Sequence, residues 1–132
     1  DFCHTNVKFR NDYAKLILWV LSNQERYQSL LPNYVSNSIG AIIMYDITNS
    51  NSLNRISEWC HLIREVNGNI PILLVGNKLD LEDLREISIE QGTKIKQELQ
   101  LSAFMEISVK TGENFEKMFE KLAKFIVGPI DN

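Results

Sequence analysis

Two short polar clusters carry residue types whose spacing could do chemistry, Asn77-Lys78-Leu79-Asp80 and Ser108-Val109-Lys110. The first follows the apolar run Ile70-Pro71-Ile72-Leu73-Leu74-Val75 and Gly76, and the second follows Ala103-Phe104-Met105-Glu106-Ile107. An aspartate carboxylate accepts two hydrogen bonds side by side, and guanine offers a matching donor pair on N1 and its exocyclic amine. Adenine cannot supply that pair, so a buried Asp80 would reject it by being left unpaired. The long stems of Lys78 and Lys110 can cover the flat faces of a base. The backbone N–H of Val109 can donate to the guanine carbonyl oxygen. Taken singly, each cluster has a plain structural reading, because Asn and Asp bond their own backbone in turns and Ser ahead of a helix can cap it. At the ends of consecutive strands of one sheet, the two together form a guanine clamp.

The surrounding pattern supplies such a sheet. Phe2–Phe9 and Lys15–Trp19 read as strands joined by the polar turn Arg10-Asn11-Asp12, hence an antiparallel hairpin. Tyr27, Leu30, Leu31, Tyr34 and Val35 recur at helical spacing, interrupted near Pro32. Ile39–Tyr45 and Ile70–Val75 are continuous apolar runs of the kind expected in strands buried on both faces, and Ala103–Ile107 reads as a third strand. Helices alternate with them. One is marked by Leu53, Ile56, Cys60 and Ile63 and ends at Asn67-Gly68-Asn69. The next opens with the capping-box pair Ser88 and Gln91 and carries Ile95 and Leu99. The last carries Phe115, Met118, Phe119, Leu122 and Ile126. Strands alternating with helices imply parallel pairing through right-handed crossovers. The expectation is one α/β domain over residues 1–132, a doubly wound sheet, mostly parallel, with helices on both faces. In such folds ligands bind beyond the C-terminal ends of the strands.

The text around these clusters resembles the Ras-superfamily small GTPases, nearest their Rab-like branch. The resemblance is carried by Trp19, Gln24-Glu25-Arg26-Tyr27, Tyr45-Asp46-Ile47-Thr48, Leu74-Val75-Gly76-Asn77-Lys78-Leu79-Asp80 and Ser108-Val109-Lys110-Thr111-Gly112-Glu113-Asn114. It implies a P-loop NTPase-like fold and a GTP/GDP switch that hydrolyses GTP with Mg2+ and works through regulator and effector proteins. By that resemblance Asn77 braces the nucleotide loops, Asp80 reads guanine, Ser108 orients the loop around it, and Gln24 positions the attacking water. Val109 stands where the family usually has alanine, a change the backbone contact tolerates.

The sequence also departs from the family pattern. No G-x-x-x-x-G-K-S/T phosphate loop occurs in these residues, and the resemblance implies that the chain starts just after the first switch region. Where the family writes W-D-T-A-G-Q-E-R-F, the chain has Trp19-Val20-Leu21-Ser22-Asn23-Gln24-Glu25-Arg26-Tyr27. Val20 replaces the aspartate that supports magnesium, and a valine offers no oxygen to a hard cation. Asn23 replaces a glycine whose bare backbone approaches the terminal phosphate. These changes favour an alternative class, a pseudo-GTPase or protein-interaction module without turnover. The family's first strand runs between those matching Lys15–Trp19 and Ile39–Tyr45. Its loss is expected to leave both with open edges and the chain poorly soluble.

Composition narrows the partners. The 132 residues carry 14 basic and 17 acidic side chains, a net charge of −3, with no concentrated basic face for nucleic acid. Two cysteines, Cys3 and Cys60, are too few for a disulfide framework and fit a reducing, cytoplasmic setting. No signal peptide or C-terminal prenylation cysteine is visible, so no direct membrane anchor is expected. His4 and His61 are isolated, and no metal site is expected from them. Cys60 and Trp59 fall on or beside the helical stripe and read as core. Glu116, Lys117, Glu120, Lys121 and Lys124 read as solvated surface.

Overall fold

The computed structural model describes residues 2–9, 12–20 and 40–127, with side chains described for residues 40–125. In chain order the strands are β1 (Phe2–Phe9), β2 (Asp12–Val20), β3 (Ala41–Asp46), β4 (Ile72–Asn77) and β5 (Ala103–Glu106). The helices are α1 (Ile56–Asn67), α2 (Ile89–Glu98) and α3 (Phe115–Val127), with 3-10 turns at Ser50–Leu53 and Leu79–Leu84. The five strands among the described residues form one sheet in the order β1-β2-β3-β4-β5.

β3 and β4 are the centre of this sheet because their side chains are apolar on both faces. The first five residues of each are buried, and only Asp46 and Asn77, at their C-terminal ends, reach partial exposure. Alternation along each strand then feeds two cores. On one face Ala41, Ile43, Tyr45, Ile72 and Leu74 pack with Ile56, Trp59, Cys60 and Ile63 of α1 and with Ile87 and Leu101. On the other, Ile42, Met44, Leu73 and Val75 pack with Ala103, Ile107 and the α3 residues Met118 and Leu122. Phe115 and Phe119 flank that second core edge to face, with ring centroids 5.2 Å apart.

The helix ends follow local chemistry. Ser88 Oγ accepts from the Gln91 N–H at 3.1 Å while the Ser88 N–H donates to Gln91 Oε1 at 2.8 Å, a reciprocal capping box. α1 stops at Gly68, whose φ of 75° a residue with a Cβ adopts at a cost. Arg64 of α1 donates to the carbonyls of Leu99 and Gln100 at 2.8 and 2.9 Å, which covers the open carbonyls where α2 ends.

The pairing pattern differs from the sequence expectation at one seam. β1 and β2 pair antiparallel, from Phe2↔Trp19 to Phe9↔Asp12. β2 does not end in an open edge beside β3. The two pair directly and in parallel, from Ile17↔Ala41 to Val20↔Met44. The physical reason is that an unpaired apolar strand leaves its backbone N–H and C=O groups without partners, and a neighbouring strand satisfies them. β3 and β4 are in register from Ala41↔Ile72 to Asp46↔Asn77, and β4 and β5 from Leu73↔Ala103 to Gly76↔Glu106. The segment from 21 to 39, with the expected helix through Tyr27–Val35, lies outside the described residues.

Candidate functional site

The parallel strands β3, β4 and β5 end on the same side of the sheet, and the polar clusters sit there. The register that places Asp46 beside Asn77 and Gly76 beside Glu106 brings three loops together. Backbone bonds lock them. The Ile47 N–H donates to the Asn77 carbonyl at 3.1 Å, the Ile107 N–H to the Gly76 carbonyl at 2.8 Å, and the Leu79 N–H to the Ile107 carbonyl at 3.0 Å.

Side chains complete the join. Ser108, fully buried, donates from Oγ to Asp80 Oδ1 at 2.7 Å and accepts from the Thr111 N–H at 3.1 Å. The loop turns back on itself, with the Gly112 N–H on the Ser108 carbonyl at 2.8 Å and the Ser108 N–H on the Glu113 carbonyl at 3.0 Å. Gly112 reaches this turn with a φ of 86°. The Val109 N–H donates to Asn77 Oδ1 at 3.0 Å. Asn77, Asp80, Ser108 and Val109 therefore form one hydrogen-bonded group.

Three details differ from the sequence expectation. Asp80 is exposed rather than buried, so a base would have to supply the cover that sharpens discrimination. The Val109 N–H, expected to face the base carbonyl, is given to Asn77 instead. Lys78, expected to lie over the base, is paired with Asp46, its Nζ 2.9 Å from Asp46 Oδ2. Its backbone is left-handed, at a φ of 77°, which turns the chain sharply between β4 and the Leu79–Leu84 turn. Lys110 is exposed. Gln24 and Asn23 lie outside the described residues, as does the side chain of Val20.

Asp46 is a site residue for which the sequence suggested no role. Its Oδ1 accepts from the Thr48 N–H at 2.8 Å and from Thr48 Oγ1 at 2.6 Å, and its Oδ2 meets Lys78. Burial alone would raise its pKa, but the Thr48 and Lys78 hydrogen bonds outweigh it and hold the carboxyl below the ordinary aspartate value. The signal was present in Asp46-Ile47-Thr48, the spacing of an aspartate turn. Arg85 and Glu106, also missed, form a bidentate pair behind the site. Among the described residues no group of three His, Cys, Asp or Glu is placed to hold a metal ion. No described helix is long and apolar enough to cross a membrane.

A parallel α/β sheet with side-chain-linked loops beyond adjacent strand ends has the layout of a P-loop GTPase-like domain. A family model described as Ras family matches residues 1–127. The chain belongs to the Ras family of small GTPases, whose members in general bind GTP and GDP with Mg2+ and act as switches with regulator and effector proteins.

Proposed function

We propose that this chain binds guanine nucleotide through Asp80 and serves as a switch of the Rab-like kind, acting in the cytoplasm in vesicle trafficking. The observation that carries the reading is the 2.7 Å bond from Ser108 to Asp80. An ionised carboxylate has about four acceptor sites, and Ser108 occupies one of them. Two donors side by side on guanine can take the remaining sites, with one carboxylate oxygen already anchored by Ser108. The base carbonyl then competes with Asn77 for the Val109 N–H. Without a base, Asn77 braces the Val109 loop against β4 through that N–H. Lys110, and Lys78 once released from Asp46, supply the walls.

For the phosphate end, Gln24 is the water-positioning residue by position in its motif. Val20 offers no oxygen to magnesium where the family has aspartate, so the residues here do not fit the ion at that point. Asn23 adds bulk where the phosphate needs bare backbone. These two substitutions favour the second reading, a pseudo-GTPase that binds partners, regulators or effectors, without turnover.

Equilibrium titration with GDP, with ADP as control, tests the base reading on the parent chain and on Asp80→Ala. Guanine-selective binding that disappears in the variant is the expected result. Equal binding of GDP and ADP, or no loss in Asp80→Ala, rejects it. GTP turnover by the same preparation separates the switch from the pseudo-GTPase.

A further inference from the structure

The two base-site loops are also joined by a pair that neither motif contains, Arg85 and Glu106. Arg85 follows the Leu79–Leu84 turn, and Glu106 ends β5 just before Ile107 and Ser108. The guanidinium meets the carboxylate end on, Nη1 to Oε2 and Nη2 to Oε1, both at 2.7 Å. The side chains retain only 16% and 8% of their exposure. Arg85 Nη1 also donates to the Ile87 carbonyl at 2.9 Å, and Nη2 reaches Glu82 Oε1 at 3.3 Å. The hydrogen bonds it donates to Glu106 raise the guanidinium's already high pKa further. The Glu106 carbonyl accepts from Asn114 Nδ2 at 3.0 Å, so the far end of the Ser108 loop is tied to the same residue.

A pair this far from water adds little net stability, because the cost of desolvating two charges roughly offsets their attraction. What the bidentate form supplies is geometry, since a planar fork fixes both the separation and the angle of what it joins. Here it fixes the segment after Asp80 against the strand before Ser108. Two backbone N–H hydrogen bonds cross the same gap, Leu79 N–H to the Ile107 carbonyl and Val109 N–H to Asn77 Oδ1.

We infer that Arg85 and Glu106 are positioning residues of the base site, holding the Asp80 segment and the Ser108 loop at the spacing a guanine edge requires. This rests on the guanine reading above. The pair touches no base itself. It presets the position of the Asp80 carboxylate against the Ser108 loop, so that binding does not have to order it.

The test uses the full chain, the double variant Arg85→Met/Glu106→Leu and the single variant Arg85→Lys. The double variant removes both charges together, so no buried charge is left alone, and it is expected to melt within a few degrees of the parent. Arg85→Lys keeps the charge but loses the fork, and it decides the matter if the double variant does not fold. In both, the Leu79 and Val109 amides are expected to exchange with solvent about tenfold faster, the equivalent of one weakened charge-assisted bond. The Ile42 and Leu74 amides in the sheet centre keep their parent rates. A fluorescent GDP analogue is expected to bind about tenfold more weakly, on the same scale. Parent exchange rates at Leu79 and Val109 would overturn the inference. So would equal acceleration at Ile42 and Leu74, which would make the pair a general stabiliser, or unchanged GDP affinity in a parent that binds. If the parent binds no GDP analogue, the guanine reading fails and the exchange rates alone decide the positioning role.

Discussion

Ser108 Oγ, fully buried, donates 2.7 Å to a carboxylate oxygen of Asp80, a residue that is itself exposed. The buried partner therefore orients the exposed one. Ser108→Ala leaves Asp80 in place but free to rotate, and it empties a hydroxyl site beside the Thr111 N–H. GDP affinity should fall about tenfold or more, the value of a hydrogen bond to a charged group. Calorimetric titration reads this directly, and parent-like affinity would show that the bond does not set the carboxylate angle.

Asp46 gives a pH dependence with a defined sign. Its pKa is lowered from an ordinary 3.8 in the folded chain, by bonds from Thr48 and Lys78 that outweigh burial. The folded state thus binds the proton less tightly than the unfolded state. The stability this contributes is fully present above 3.8 and is lost as pH falls through the depressed folded value. Asp46→Asn should melt lower than the parent at neutral pH, and the two melting temperatures should converge as pH falls below the ordinary 3.8. A constant difference through that fall would contradict the assignment.

Gly92 sits inside α2, where alanine would normally gain about 1 kcal/mol of helix propensity. A Cβ there would stand 2.6 Å from Phe104 Cε1 and 2.7 Å from Tyr45 Oη. Both rings are stacked, with centroids 6.5 Å apart, and Tyr45 is 2% exposed, so neither can move aside freely. Gly92→Ala is expected to destabilise the chain by about 1–3 kcal/mol net of propensity. Urea unfolding at unchanged slope measures it.

Cys60 lies in the first core, 1% exposed, and burial pushes its thiol up to about 11 against a smaller opposing effect of Arg64. A thiol of that kind is unreactive as long as the fold holds. Maleimide labelling of Cys60 at pH 8, located by peptide mapping so that Cys3 is counted apart, should proceed only as fast as the chain opens. Rapid labelling of native protein would show the α1 face to be loosely packed.

Much of the architecture is legible in residue types alone. Ile42, Ile43, Leu73 and Leu74 are apolar in unbroken runs, and unbroken runs are buried on both faces because neither side offers water a polar group. Ser88 and Gln91 mark a helix start, and Gly68 a helix end, because capping is a contact between near neighbours. The two clusters at Asn77–Asp80 and Ser108–Lys110 are recognisable for the same reason, since each is a short word that follows a strand.

Tertiary structure decided which of these groups face each other. Nothing in the spacing says that the Val109 N–H goes to Asn77, that Lys78 pairs with Asp46, or that Arg85 grips Glu106. Those contacts join residues far apart in the chain, and single-residue chemistry leaves several partners open to each. The direct β2–β3 ladder is of the same kind, a pairing chosen by which backbones lie adjacent once the sheet has formed. Local sequence selects elements and motifs through short-range sterics, burial and capping. The distances that turn motifs into a site come from strand register, which only the packed sheet sets.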